Sequence, residues 1–132
     1  MAAAPSRSRA GSSRVAPAQR RGNWAEQRAL RLLRRSGWQL LSQQWRCRWG
    51  ELDLVLAKPS RLLVVEVKGR RRCGPDGWGL ASLDGPKRQR LRTSAALWLA
   101  AHPPYQHCSV ELVLALVPLP PVRAPVRWIR WE

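Results

Sequence analysis

The sequence has 132 residues and a formal net charge of +16, from 24 Lys and Arg against 8 Asp and Glu. This length supports one domain with a single core and excludes two domains of ordinary size. So basic a balance favours polyanionic partners, nucleic acid above all, although compositional drift towards arginine is an alternative source of the charge. No apolar run approaches the roughly 18 residues of a membrane span, so a membrane partner is not expected. Three cysteines without Cys-x-x-Cys spacing predict neither a disulfide framework nor a zinc site, which fits a cytoplasmic protein: Cys47, Cys73 and Cys108.

Residues 1–21 are rich in Ala, Ser, Pro and Arg and contain no acidic residue. Such a segment cannot bury a core, and we expect a disordered basic arm. An organellar transit peptide has the same composition, while a nucleic-acid-binding arm or an inert extension are the other interpretations. The predicted domain then covers residues 22–132, with the proline-rich residues 118–132 as a tail that packs on it.

A first helix is predicted from Asn23 to Gly37, with Asn23 as its cap and Gly37 at its end. Glu26 stands three residues after Asn23, as in a capping box, which gives it a structural interpretation. It also lies on the apolar side of the helix with Leu30 and Leu33, which would point its acid towards the sheet. The spacing leaves both interpretations open.

Residues 38–46 are predicted to form the first strand. Trp45 and Trp49 lie before Gly50, where they either stack on bases or pack into the core. Residues 50–58 and 61–68 are the next two predicted strands, rich in Leu and Val and separated by Pro59 and Ser60. Because both are apolar on both faces, they indicate a sheet covered from both sides in a layered α/β fold.

A hairpin centred on Pro59 and Ser60 pairs residues whose numbers add to 119. Asp53 then faces Glu66, and Lys68 follows on the Glu66 face. Like charges directly opposite each other, with Cβ atoms about 4.5–5.5 Å apart, call for a proton or a cation. Mg²⁺ suits two carboxylates because water and phosphate complete its shell. The alternative is that both acids splay into solvent and are neutralised by arginines.

A Gly- and Pro-rich loop is predicted over residues 69–79, and a second helix from Asp84 or Pro86 to His102. Basic side chains follow the acidic strand and crowd the start of this helix, where phosphate contact is one interpretation and a solvated charge run is the other. The candidate nucleic-acid-binding residues are Arg70, Arg71, Arg72, Lys87, Arg88, Gln89 and Arg90.

The strand predicted over residues 109–117 follows a helix, so it can lie parallel to the Glu66 strand. Glu111 interrupts this strand and is expected to pair with an arginine. Residues 126–131 are predicted to form a short edge strand or a packed tail.

Asp53 and the run Glu66-Val67-Lys68, with Glu26 on a preceding helix, resemble the Asp…Glu-x-Lys signature of restriction-endonuclease-like nucleases. More closely, four motifs resemble the bacterial YraN family, over about residues 22–117: Gly22-x-x-Ala25-Glu26, Gly50-Glu51-Leu52-Asp53-Leu54, Val65-Glu66-Val67-Lys68 and Lys87-Arg88-Gln89-Arg90-Leu91. The chain departs from the family pattern at Glu111, where Asp is expected, and in its N-terminal arm.

This resemblance implies an α-β-β-β-α-β core with a mixed sheet flanked by helices, and metal-dependent hydrolysis of DNA. It assigns catalytic roles to Glu26, Asp53, Glu66 and Lys68, with Asp53 and Glu66 binding Mg²⁺ or Mn²⁺. The metal would lower the pKa of a bound water, and Lys68 would orient that water or stabilise charge on the phosphate. Two other functions remain open on the same fold: nucleic-acid binding without cleavage, and an accessory protein whose basic surface docks an acidic partner.

Overall fold

The computed structural model of the protein describes residues 17–71 and 83–132. Within these ranges the chain forms two helices and five strands, and a short 3-10 turn at Pro103–Tyr105 leads into the fourth strand. The elements in chain order are α1 (Pro17–Arg35), β1 (Gln39–Cys47), β2 (Gly50–Lys58), β3 (Arg61–Arg70), α2 (Gly85–Ala101), β4 (Ser109–Pro118) and β5 (Arg127–Arg130). The predicted α/β class and the α-β-β-β-α-β order are therefore confirmed, with β5 added at the end.

All five strands form one mixed sheet in the order β1-β2-β3-β4-β5. The β3–β4 pair is parallel, as predicted for a strand that follows a helix, and the other three pairs are antiparallel. Of the two possibilities for residues 126–131, the edge strand is confirmed, because β5 pairs with β4.

The two helices cover opposite faces of the sheet, which explains why β2 and β3 are apolar on both faces. The cluster under α1 includes Ala29, Leu33, Leu54, Leu56 and Val65. The cluster under α2 includes Leu91, Trp98, Val55, Val64 and Leu114.

The predicted register of the β2–β3 hairpin is confirmed from Lys58↔Arg61 to Leu54↔Val65, where all pairs add to 119. The ladder ends there, so the predicted direct pair of Asp53 with Glu66 is not part of it. Strict alternation along residues 50–58 predicts that Leu52, Leu54 and Leu56 line one face of the sheet, and this prediction is wrong at Leu52. Leu52 packs in the cluster under α2, whereas Leu54 and Leu56 pack under α1. The side chains of β2 therefore change face between Leu52 and Leu54.

Helix α1 begins at Pro17, six residues before the predicted start at Asn23. Proline suits the first turn of a helix because it has no N–H to leave unpaired. Asn23 thus lies inside the helix, and the capping-box interpretation of Glu26 is wrong. The predicted end is confirmed by hydrogen bonds from Gly37 N to Arg34 O (3.0 Å) and from Trp38 N to Leu33 O (3.1 Å). These two bonds form a Schellman cap, with Gly37 at φ +93°.

Several sequence-based predictions concern residues outside the described ranges. These are the arm over residues 1–16, the loop from residue 72 onwards, and the candidate phosphate contact Arg72. Residues 17–21, which we assigned to the arm, belong to α1. Of the two described helices, neither is long and apolar enough to cross a membrane.

Candidate active site

The sheet divides between β2 and β3 at the end opposite the hairpin turn. Pairing between these strands stops at Leu54↔Val65. Beyond it, β2 stays paired with β1 as far as Cys47↔Gly50, and β3 stays paired with β4 as far as Arg70↔Pro118. We call this end, where residues 50–53 leave residues 66–70, the fork.

Asp53 lies in the fork, where its side chain takes the place of a backbone hydrogen bond between β2 and β3. Its Oδ2 accepts a hydrogen bond of 2.8 Å from Val67 N. In the hairpin register Val67 lies opposite Leu52. If the ladder continued, Val67 N would donate to the backbone of β2, whereas here it donates to the Asp53 carboxylate. Burial and, next, the charge of Glu66 raise the pKa of Asp53 to about 8, against the lowering effect of the Val67 hydrogen bond. Without a cation, Asp53 therefore holds a proton at neutral pH.

Glu66 lies on the β3 side of the fork and is only 7% exposed. Lys87 Nζ from α2 lies 3.2 Å from its Oε2, and Lys68 Nζ lies 4.0 Å from the same atom. The side chain therefore lies inside the fork rather than splayed into solvent, and lysines rather than arginines balance its charge. Lys87, which the sequence suggested only as a phosphate contact, is an ion-pair partner of this acid.

Glu26 reaches the fork from α1 and is 9% exposed. Gln44 Nε2 donates to both of its carboxylate oxygens, at 3.3 Å each. Burial raises the pKa of Glu26, with smaller contributions from the charges of Glu51 and Glu66, while hydrogen bonds from Gln44 and Gln43 lower it. Glu26 thus points towards the sheet, as in the second of its two interpretations.

Gln44 is a residue of this site that the sequence analysis missed. Its φ of +51° lies in the left-handed region, which is uncommon for a residue other than Gly. It stands between the pairs Gln43↔Leu54 and Trp45↔Leu52, and therefore beside Asp53. Such backbone strain costs on the order of 1–3 kcal/mol and concentrates at functional sites. The adjacent polar residues Gln43 and Gln44, near the end of the predicted strand, were the available signal.

The donor atoms of the fork fit Mg²⁺ or Mn²⁺ only if solvent or substrate completes the shell. Among residues 17–71 and 83–132, no three His, Cys, Asp or Glu side chains form a set that could hold a metal by themselves. Two carboxylates are nevertheless a usual protein contribution to Mg²⁺, which keeps several waters and takes phosphate oxygens. Binding there would displace the proton of Asp53, because a ligand must be ionised.

The candidate phosphate contacts in β3 and after it are only partly in a loop. Arg70 belongs to β3, so the predicted loop start at Gly69 is wrong, and Leu119 N donates to Arg70 O at 2.9 Å. Gly69 is also held in place by packing, because a Cβ there would come 2.9 Å from Leu119 Cδ2 and 3.3 Å from Ala25 Cβ. Arg71 is exposed.

The candidates at the start of α2 have different surroundings. Asp84 caps the helix and accepts from Lys87 N at 2.9 Å, which uses one of the free amides that a phosphate would need. Arg88 Nε donates to Leu83 O at 2.8 Å, and its guanidinium lies over the Trp131 ring. Gln89 and Arg90 are exposed, which leaves them accessible to a ligand.

Three other sequence-based expectations have clear outcomes. Glu111 pairs with Arg61 at 3.0 Å and with Arg130 at 3.7 Å, which confirms its predicted role and holds the pKa of its carboxyl below the usual value. Trp45 is partly buried against the cluster under α2, as a packing residue. Trp49 is 46% exposed beside Arg48, and a stacking role for it stays a prediction.

Comparison with known sequences places these residues in a family. The model of Uncharacterised protein family UPF0102 matches residues 25–115, a range that contains all four candidate catalytic residues. A UPF0102 protein of Prochlorococcus marinus strain MIT 9303 is 60% identical over 111 residues, covering 84% of this chain and 88% of that protein. One from Pseudomonas putida strain GB-1 is 38% identical over 113 residues, covering 84% and 90%. The chain therefore belongs to the UPF0102 family, the YraN family that its motifs resemble.

Proposed function

We propose that the protein is a metal-dependent nuclease that hydrolyses DNA phosphodiester bonds at the fork. The observation that carries this proposal is the convergence of Asp53, Glu66 and Glu26 where the sheet divides, with Lys68 and Lys87 beside them. Buried acids without arginine partners are costly to a fold unless a proton or cation compensates them. Such arrangements are typical of catalytic sites.

In this proposal Asp53 and Glu66 hold Mg²⁺ or Mn²⁺, which supplies an activated water and Lewis-acid stabilisation of the phosphate. With such a cation bound, Asp53 and Glu66 would be ionised, and Lys68 and Lys87 would interact with the phosphate oxygens of the substrate. Glu26, held by Gln44, positions the attacking water or accepts its proton. We propose DNA as the substrate because of the family resemblance and the basic charge of the chain.

A non-catalytic nucleic-acid-binding protein is the second candidate, and one observation favours it. The Lys87–Glu66 distance of 3.2 Å shows that Glu66 already has a cationic partner without any metal. Binding by such a protein would be indifferent to divalent ions and sensitive to salt.

The test is incubation of purified protein with junction, flapped, single-stranded and duplex DNA in Mg²⁺, Mn²⁺ or chelator. We expect cleavage of at least one substrate with metal and none with chelator. Thermal melting with and without Mg²⁺ provides an independent readout, because an ion that binds only the folded state raises its stability. DNA binding without cleavage, combined with identical melting in Mg²⁺ and chelator, would favour the second candidate.

Nucleic-acid contact has its own prediction, which the structure sharpens. Arg71 and Arg90 are exposed, so Arg71→Ala and Arg90→Ala should each reduce the slope of log affinity against log salt by about 1. Because phosphate contacts position rather than specify, the loss should be similar across DNA sequences. Arg130→Ala, at an exposed arginine on the β5 edge, serves as the control. An affinity that barely changes with salt in the parent protein would remove the electrostatic argument.

A further inference from the structure

A second basic feature lies on the outer side of α1, away from the fork. A groove of about 620 Å³ runs between Trp24, Arg28 and Arg31 of the helix and the chain segment 120–125 that follows β4. We call it the α1 groove. Its volume lies within the roughly 300–1,000 Å³ of small-ligand sites.

The α1 groove is preformed. Arg28 donates from its guanidinium to Ala124 O at 3.0 Å and to Pro118 O at 3.4 Å, which ties the helix to chain 96 and 90 residues further along the sequence. Three prolines in the segment, at positions 120, 121 and 125, restrict its backbone. A ligand therefore need not order this wall when it binds.

The chemistry of the groove combines one aromatic face with several cations. Trp24 is 40% exposed, and the Arg28 guanidinium lies over its ring at 5.9 Å from the centroid. Arg31 and Arg123 are exposed on either side, and none of the described lining residues is acidic. An aromatic platform with flanking arginines is the arrangement by which proteins bind unpaired nucleotides, since bases stack on the ring and phosphates contact the cations. An indole in a groove cannot reach bases that remain paired and stacked within a duplex.

We propose that the α1 groove binds an unpaired nucleotide strand, with a base stacked on Trp24 and phosphates at Arg31 and Arg123. On the helix, Trp24 and Glu26 lie on opposite sides, because two residues of separation turn the chain by about 200°. The groove and the fork are thus separated by roughly one helix diameter, about 10–12 Å. At about 3.4 Å per nucleotide, a stacked strand spans that distance in about three nucleotides. A substrate with a single-stranded end would then engage both the α1 groove and the fork. This refinement rests on the proposed function, whereas binding of the strand in the groove does not.

The test measures fluorescence anisotropy of labelled oligothymidylate and of an abasic oligonucleotide of equal length, in chelator so that no cleavage occurs. The parent should bind the oligothymidylate about tenfold or more tightly than the abasic strand, because each stacked base contributes substantially. Trp24→Ala should lose this preference and Trp24→Phe should retain part of it. Arg123→Ala should weaken both ligands equally, with a salt slope lower by about 0.7.

Trp128→Ala is the matched control for Trp24→Ala, since both tryptophans are 40% exposed. It should leave the base preference unchanged. Because the titrations are made in chelator, where the proposed nuclease is inactive, a failure of this inference stays separate from a failure of the proposed nuclease. Oligouridylate in a parallel titration distinguishes RNA from DNA as the source of the strand. Equal affinity of the parent for thymidylate and abasic strands, or an equal loss in Trp24→Ala and Trp128→Ala, would overturn the proposal. Displacement of the strand by oligoglutamate of the same charge at equal concentration would also overturn it and would indicate an acidic peptide instead.

Discussion

At the turn of the β2–β3 hairpin, Glu111 on the neighbouring strand accepts from Arg61 at 3.0 Å, and these arginine contacts hold the pKa of its carboxyl low. At the fork of the same hairpin, Asp53 accepts only a backbone N–H among the hydrogen bonds of the described residues, and its pKa is raised to about 8. The turn end also stacks Lys58 and Arg61 over the Trp38 ring, at 4.7 and 4.9 Å from its centroid. The turn end thus pairs its acid with arginines, whereas the fork holds Asp53 beside Glu66 and Glu26, whose charges contribute to its raised pKa. Natural folds break local rules mainly at functional sites, so the difference between the two ends supports the proposed function at the fork.

The largest expected difference comes from neutralising one acid at each end. Under the proposed function, Asp53→Asn should lower cleavage by at least about 100-fold, because even outer-shell partners of a metal are worth about 10–100-fold. It should fold as well as the parent or slightly better, since asparagine is neutral at every pH and removes the cost of keeping Asp53 protonated beside Glu66. Glu111→Gln should leave cleavage unchanged and cost at most about 1 kcal/mol, because its ion pair with Arg61 lies at the surface, where the Arg61 side chain is 46% exposed.

Both variants are compared by cleavage rate and by melting temperature, each with and without Mg²⁺. A clear drop in the melting temperature of metal-free Asp53→Asn, with no Mg²⁺ effect on the parent, would show that Asp53 is structural.

A second difference appears in the pH dependence of stability. Folded Asp53 keeps its proton up to about pH 8, whereas in the unfolded chain it ionises near 3.8. The folded state therefore binds more protons between these values, and this group makes the free energy of unfolding fall as pH rises from about 4 to about 8. The contribution is on the order of a few kcal/mol. Glu111 has the opposite sign, since its lowered pKa gives stability that is lost as pH falls below its unfolded value.

Denaturant unfolding at pH 5 and pH 8 measures this effect. Asp53→Asn should flatten the decline above pH 5, while Glu111→Gln should preserve it. Parallel declines in the parent and Asp53→Asn would contradict the assignment.

Glycines at the two ends distinguish crowding from backbone conformation. Gly69→Ala near the fork should cost about 1–3 kcal/mol, because the new Cβ would crowd Leu119 and Ala25. Gly37→Ala near the turn should cost about 1–2 kcal/mol through its φ of +93°. Asparagine, which tolerates the left-handed region, should partly rescue position 37 but not position 69. Chemical denaturation of the four variants measures this, and rescue by asparagine at both positions would exclude crowding as the cause at Gly69.

The smallest expected difference concerns two strained residues, Gln44 at the fork with φ +51° and Ser60 at the turn with φ +63°. Glycine at either position relieves strain and should change stability by no more than about 1 kcal/mol. Gln44→Gly also removes the amide that holds Glu26, so cleavage should fall about tenfold. Ser60→Gly should leave the cleavage rate unchanged. Equal rates in the two variants would show that Gln44 does not support Glu26.

The sequence was a good guide wherever local pattern decides the outcome. The turn at Pro59 and Ser60 determined the register, and the apolar character of both faces of β2 and β3 indicated a sheet between two helices. The start of α1 was missed because residues 17–22 have the composition of a flexible arm. Whether these residues join the helix or the arm depends on propagation of the helix from its packed turns after Ala25. Amino-acid composition does not report this propagation.

The hydrogen-bond and ion-pair partners of the site residues were less predictable than the positions of those residues in the fold. The placement of Asp53, Glu66 and Lys68 at one end of the hairpin followed from its register, which the local turn determines. The contacts of Glu26 with Gln44 and of Glu66 with Lys87 join elements 18 and 21 residues apart in sequence, and depend on how the helices lie on the sheet. The change of face at Leu52 was also not predictable from local pattern, because it occurs where β2 separates from β3.

The hydrogen bond between Asp53 Oδ2 and Val67 N gives the site a spectroscopic reporter. The amide of Val67 is bonded to a side chain rather than to the opposite strand, so its ¹⁵N chemical shift and its hydrogen-exchange rate should follow the protonation of that carboxylate and any ion that draws it away. The amide of Val65, which lies in the paired part of the hairpin, provides an internal reference in the same spectrum. Occupancy of the fork can therefore be followed by NMR at a single backbone position, without a substrate and without knowing which nucleic acid the protein prefers.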